Sequence, residues 1–101
     1  HDAKPISPEA CDFASKLLPR LGKHAHLYEV CPVPNGSVGL EMLQGEREIL
    51  LNISEKGEIA YVVALGDEVH RGRGIRCDDA GITRIRRIIN DLIKDVGASM
   101  V

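Results

Sequence analysis

The chain of 101 residues has no tryptophan, and its only aromatic residues are Phe13, Tyr28 and Tyr61. Its core must therefore be built from Leu, Ile, Val and Ala side chains. No apolar run approaches the roughly 20 residues that a membrane-spanning helix needs, and no secretory-signal pattern is present. We therefore expect a cytoplasmic protein that has no membrane partner.

Cysteine is scarce and occurs as an odd number, with Cys11, Cys31 and Cys77 far apart and no C-x-x-C spacing. This pattern argues against a disulfide framework and against a zinc ribbon. It favours a reducing compartment, where thiols stay reduced. We expect Cys11 to be a small apolar packing residue in the first helix.

Neither sign of charge dominates the chain, whose net charge is −2 with 28% charged and 44% hydrophobic residues. These values are typical of a single globular domain. We therefore predict one domain over residues 1–101, with residues 1–6 either derived from a tag or disordered. The chain contains no internal repeat, linker or low-complexity segment.

Two amphipathic helices are predicted near the ends of the chain. Ser7 and Pro8 favour a helix start, and Pro19 predicts that this helix ends or bends near Leu18. A second helix follows a cap at Asp78 or Asp79 and is predicted to end at Gly97. Its apolar stripe consists of Ile82, Ile85, Ile89, Leu92, Ile93 and Val96.

The residues between the helices alternate in polarity with a period of two, which is typical of strands joined by short turns. Strands are predicted at 27–33, 38–43, 48–53 and 59–65, with a fifth at 68–76 that its glycines weaken. Short connections predict an antiparallel meander of four or five strands, with both helices on one face, in the α+β class. Small or branched residues on the second face of the fourth strand predict that this strand is central or covered on both faces.

The most unusual stretch is residues 71–87, which carries a local charge of +4 and contains no lysine. Residues 41–59 carry the opposite charge, −3. Three interpretations follow: the two regions pair within the fold, the arginines bind an acidic protein or a second copy, or they bind nucleic acid. A net negative charge and few aromatic residues count against nucleic acid. The arginines of this stretch are Arg71, Arg73, Arg76, Arg84, Arg86 and Arg87.

We favour a non-catalytic protein-interaction module that also associates with itself. Guanidinium groups suit carboxylate recognition, and the exposed edge of a strand at 68–76 would accept another strand. No catalytic residue, cofactor or metal is predicted. The residues predicted to bind a protein partner or a second copy are Arg71, Arg73 and Arg76, with Arg84 and Arg87 secondary.

Other chemistry is weaker in the sequence. His24 and His26 would share a strand face, but a metal site needs three or four converging ligands. Cys77 adjoins Arg76 and precedes a helix, which favours a thiolate, and His70 is a conceivable base. A small thiol enzyme therefore stays open, beside a nucleic-acid accessory factor and a secretion-type chaperone that would dimerise and present an apolar groove.

The meander contains the segments NGSVGLEM at 35–42 and REILLNISEKGEIAY at 47–61. Over residues 7–97 the chain resembles small uncharacterised bacterial proteins in which a helix precedes and another follows such a meander. Met42 stands where those sequences often carry an aromatic residue. The resemblance implies an α+β fold, no assigned activity, and an accessory role in mobile or toxin–antitoxin-type loci.

Overall fold

A computed structural model describes Pro5, residues 7–22 and residues 25–99, with side chains described as far as Ile93. Two helices flank a five-stranded antiparallel sheet, which confirms the α+β class. Two short 3₁₀ helices, Leu18–Leu21 and Ala25–Leu27, connect the first helix to the sheet. The main elements are α1 (Pro8–Leu17), β1 (Glu29–Pro32), β2 (Val38–Gln44), β3 (Arg47–Ile53), β4 (Glu58–Leu65), β5 (Glu68–Arg76) and α2 (Asp79–Ser99).

Helix α1 begins and ends where the sequence predicts. The Oγ of Ser7 accepts a hydrogen bond from the Ala10 amide at 3.0 Å, and Pro8 occupies the first helical position. The α-helical turns end at Leu17, and the chain tightens into a 3₁₀ turn that contains Pro19. Because Pro19 has no backbone N–H, it cannot continue the hydrogen bonding of an α-helix. The predicted end of α1 is therefore confirmed.

The strands follow one another across the sheet in chain order, β1 to β5, and every neighbouring pair is antiparallel. The meander is thus confirmed. Strand β1 is shorter than predicted because Leu27 belongs to a 3₁₀ turn and the strand ends at Pro32. The fifth strand is real and spans nine residues despite Gly72 and Gly74.

The core lies between the helices and one face of the sheet. Apolar positions of α1 and α2 are buried with alternate residues of β2, β3, β4 and β5, so both helices cover the same face, as predicted. The other face has no helix or strand against it among the described residues, and β4 lies between β3 and β5. The core residues with no exposed surface are Ala10, Leu17, Leu40, Ile49, Leu51, Ile53, Ile59, Val63 and Ile85.

Helix α2 is capped by Asp78, whose Oδ1 accepts a hydrogen bond from the Gly81 amide at 2.8 Å. The predicted end at Gly97 is wrong, because the helix continues to Ser99. One glycine in a helix interior costs only about 1 kcal/mol, which does not by itself end a helix. Among the described residues, neither helix combines the length and apolarity needed to cross a membrane.

Gly81 is the point of closest approach between α2 and the end of β5. A Cβ at this position would lie 1.6 Å from the carbonyl oxygen of Arg76, which is backbone and cannot rotate away. We predict that Gly81→Ala destabilises the protein by about 1–3 kcal/mol in urea unfolding, as overpacking does. Thr83→Ala, at an exposed site of the same helix, should change stability little. Stabilisation by Gly81→Ala, which helix propensity alone would predict, would contradict this packing.

Candidate functional site

Strand β5 contains a bulge that sets the direction of its arginines. Gly72 pairs with Tyr61 and Ile75 pairs with Ile59, so two residues of β5 stand opposite one residue of β4. Gly74, inside this interval, has a φ of +76°, which glycine adopts without a steric penalty. The extra residue shifts the alternation of the strand by one position.

The bulge brings Arg76 to the helix-free side of the sheet, where Arg71 already lies. Arg71 pairs with Val62 and Arg76 pairs with Glu58, and both of these β4 residues alternate with buried core positions. Without the bulge, strict alternation would turn Arg76 to the face opposite Arg71. Arg73 stands between them, and all three side chains are exposed. We call these three residues the arginine edge.

The arginines of α2 lie in the other layer of the molecule. Arg84 follows Gly81 by three residues and precedes the half-buried Ile88 by four, so it lies on the flank of the helix nearest β5. Arg87 is exposed on the side of the helix that faces away from the sheet. The structure therefore groups the three residues of the arginine edge and separates Arg84 and Arg87 from them.

The two charged regions of the sequence are not joined by ion pairs in the described part of the chain. The contacts present there link Arg20 to Asp79 at 2.7 Å and His70 to Glu68 at 3.4 Å. Glu58 stands opposite Arg76 across the strands, yet their charged groups are not within 4.0 Å of each other. The side chains of the arginine edge are exposed, and no acidic group of the described residues lies within ion-pair distance of them.

The cysteine and histidine named as a potential catalytic pair do not meet. His70 lies near the start of β5 and Cys77 follows its end, and seven positions of extended chain span about 20 Å. The Cys77 thiol is 8% exposed, and its Sγ donates to the Phe13 carbonyl oxygen at 3.5 Å. Burial is the largest effect on the pKa of Cys77 and raises it, although Lys16 and Arg20 act in the opposite direction.

Among the described residues the other thiols and imidazoles form no cysteine–histidine pair either, and the Cys31 thiol contacts the Glu41 carboxylate at 3.9 Å. Partial burial and then the Glu41 and Glu29 carboxylates raise the pKa of Cys31. Cys11 is exposed, so its predicted role as a packing residue is wrong. His24, which the sequence pairs with His26, lies outside the described residues. Within those residues no three His, Cys, Asp or Glu side chains are arranged to hold a metal ion.

A small apolar cleft of about 130 Å³ lies between α1 and the strands β1 and β2. Drug-sized ligand sites typically have volumes of 300–1,000 Å³, so this cleft is too small to hold such a ligand or a helix. A second depression, of about 330 Å³, lies on the outer side of α2 beside Arg86 and Arg87 and opens widely to solvent. The first, smaller cleft is lined by Cys11, Ala14, Ser15, Leu18, Val30, Val38 and Leu40.

Comparisons with protein-family models, with curated proteins and with solved structures found no match to this chain. The geometry of the described residues therefore carries the functional argument.

The environment of Cys77 predicts low reactivity. During alkylation of the folded protein with iodoacetamide at pH 7.5, Cys77 should react at least about tenfold more slowly than the exposed Cys11. Because its pKa is raised, its rate should still increase at alkaline pH values where an ordinary thiol has levelled off. Peptide mass spectrometry measures both rates, and urea-unfolded protein is the control. Cys77 as the fastest thiol would support a thiol enzyme instead.

Proposed function

We propose that the protein is a non-catalytic interaction module that binds an acidic segment of a protein partner at the arginine edge. The observation that carries this proposal is the bulge in β5, which turns Arg76 to the side of the sheet that holds Arg71 and Arg73, with no acidic group within ion-pair distance in the described part of the chain. As the resemblance in sequence implies, we place this module among the accessory proteins of bacterial or mobile genetic systems.

The position of β5 supports the proposal, since β5 is the outer strand of the sheet. One side of its backbone pairs with β4, and the other side is free to hydrogen-bond an added strand from Glu68 to Gly72, before the bulge. The opposite edge is less suitable, because β1 has four residues and ends at Pro32, which has no N–H to donate. An acidic strand added to β5 would bring its carboxylates beside the arginine edge.

Arginine suits this role better than lysine would. Its planar guanidinium can donate two parallel hydrogen bonds to one carboxylate. Exposed single ion pairs contribute only about 0–1 kcal/mol, so one arginine would not hold a partner. Three arginines on one side of a strand, combined with backbone pairing along the same strand, supply both the charge recognition and a fixed register.

A peptide of alternating Glu and Val is the probe for this function. Binding measured by fluorescence anisotropy should weaken at least about tenfold for Arg73→Glu/Arg76→Glu, because like charges replace the attraction. Arg86→Glu/Arg87→Glu makes the same total change of charge at exposed sites of α2, in the other layer of the molecule, and should alter the affinity less than about twofold. Thermal melting should show that all four substitutions leave the fold intact.

Two further ligands make the experiment decisive. A peptide of alternating Lys and Val should not bind, and N-methylation of the Glu-Val peptide along one backbone edge should abolish binding through β5. Equal binding of both peptides, or equal affinity in both double variants, would overturn the proposal. A 20-base-pair DNA duplex should bind weakly even at low salt. Tight binding that falls steeply with salt would assign the arginine edge to nucleic acid instead.

A further inference from the structure

The helix-free face of the sheet carries most of the exposed apolar bulk of the described residues. Four large hydrophobic residues of the described chain are exposed: Val30 at 58%, Leu43 at 67%, Leu50 at 37% and Val69 at 50%. Leu43, Leu50 and Val69 belong to the helix-free face, whereas Val30 pairs with the buried Leu40 and faces the helices. Exposed aliphatic side chains grouped on one face of a sheet are a reason to look for an interaction site there.

Charge is distributed unevenly across this face. One row of paired residues reads Glu41 on β2, Leu50 on β3, Val62 on β4 and Arg71 on β5, and Glu29 on β1 pairs with Glu41 and extends the acidic end. The row is acidic at one end, apolar in the middle and basic at the other. Glu41 and Arg71 are three strands apart, about 14 Å, which is too far for an ion pair within one chain.

The next row along the strands reads Leu43, Glu48, Ala64 and Val69 in the same strand order. Its two ends are exposed aliphatic side chains. Each row therefore matches the same row of a second copy that runs in the opposite direction. In the first row the acidic end would meet a basic end, and in the second row an aliphatic end would meet an aliphatic end.

From this self-complementary pattern we infer that a second copy of the chain docks face to face on the helix-free face. The two copies are related by a twofold axis parallel to the strands, between β3 and β4. This operation places Glu41 against Arg71 of the second copy, Leu50 against Val62, and Leu43 against Val69. One patch thus serves as both sides of the interface, as a twofold homodimer requires.

The geometry suits the packing of two sheets. Their strands would run nearly parallel, about 10 Å apart, as in aligned sheet sandwiches. Strand spacing and rise give a face of roughly 500 Å² on each copy, so the pair would bury on the order of 1,000 Å² in total, near the lower limit of specific interfaces. Glu48 faces Ala64 of the second copy and must extend toward solvent. We therefore expect a dimer of modest affinity that forms in a concentration-dependent way.

This inference goes beyond the proposed function, because its occupant is a second copy and its apolar contacts lie away from the arginine edge. Sedimentation velocity over a concentration series measures it. The wild-type chain should dimerise, and Leu50→Glu should raise the dissociation constant at least about tenfold by placing a carboxylate near the twofold axis. Val30→Glu, at a more exposed apolar site that faces the helices, should leave dimerisation unchanged.

A charge exchange tests the orientation of the two copies. Glu41→Arg and Arg71→Glu should each weaken the dimer, and the two substitutions together in one chain should restore it, because each contact is then reversed. A wild-type chain that stays monomeric at 0.5 mM, or a dimer that Leu50→Glu does not affect, would overturn the inference. Failure to restore the dimer in the double variant would overturn the orientation.

The two proposals fail separately. At protein concentrations below the dissociation constant of the dimer, Leu50→Glu should bind the Glu-Val peptide as tightly as the wild-type chain does, since Arg71, Arg73 and Arg76 are unchanged. If the peptide does not bind but the dimer responds to Leu50→Glu, the acidic-partner function is wrong and the dimer stands. If the peptide binds but no dimer forms, the arginine edge remains a partner site and the helix-free face is not a dimer interface.

Discussion

The placement of both helices on one face of the sheet is the constraint from which the other features follow. Burial of an aliphatic core between α1, α2 and one side of the sheet leaves the alternate residues of every strand without a covering element among the described residues. Because successive side chains of a strand point to opposite faces, the sequence positions that build the core also determine which residues are presented outward. The exposed aliphatic residues and the separated charges of this second face are therefore consequences of how the core is formed.

Strand β5 shows how one extra residue changes what a surface can bind. Ile75 must reach the core, where it is 4% exposed, while Arg71 must stay outside. The bulge near Gly74 satisfies both conditions and also turns Arg76 to the side of Arg71. Glycine has a low strand propensity, but the local structure of β5 requires glycine at positions 72 and 74. Gly74 supplies the positive φ, and the ring of Tyr61 occupies the space where a side chain at Gly72 would lie.

Most of the architecture could be predicted from the sequence, and the direction of the binding residues could not. Ser7 and Pro8 fix a helix start through local hydrogen bonding, and the period-two alternation fixes four strands, so these predictions needed no tertiary information. The bulge depends on the register between β4 and β5, which no local pattern specifies. Gly97 does not end α2, since the cost of glycine in a helix is small. Cys77 adjoins a basic residue and a helix start, but its burial, which only the fold determines, opposes the thiolate that those neighbours favour.

The scarcity of aromatic residues limits what either surface can do. Interface residues that dominate binding energy are enriched in Trp, Tyr and Arg, and this chain has no Trp. Tyr28 is buried, and Tyr61 alternates with Val62 and so belongs to the helix-covered face. Arginine is then the one residue type of that group on the helix-free side, where its neighbours are small or aliphatic. Such a surface would gain selectivity from charge and contact area from flat aliphatic side chains, without a deep anchoring pocket. Affinity at each site should therefore be moderate and sensitive to salt.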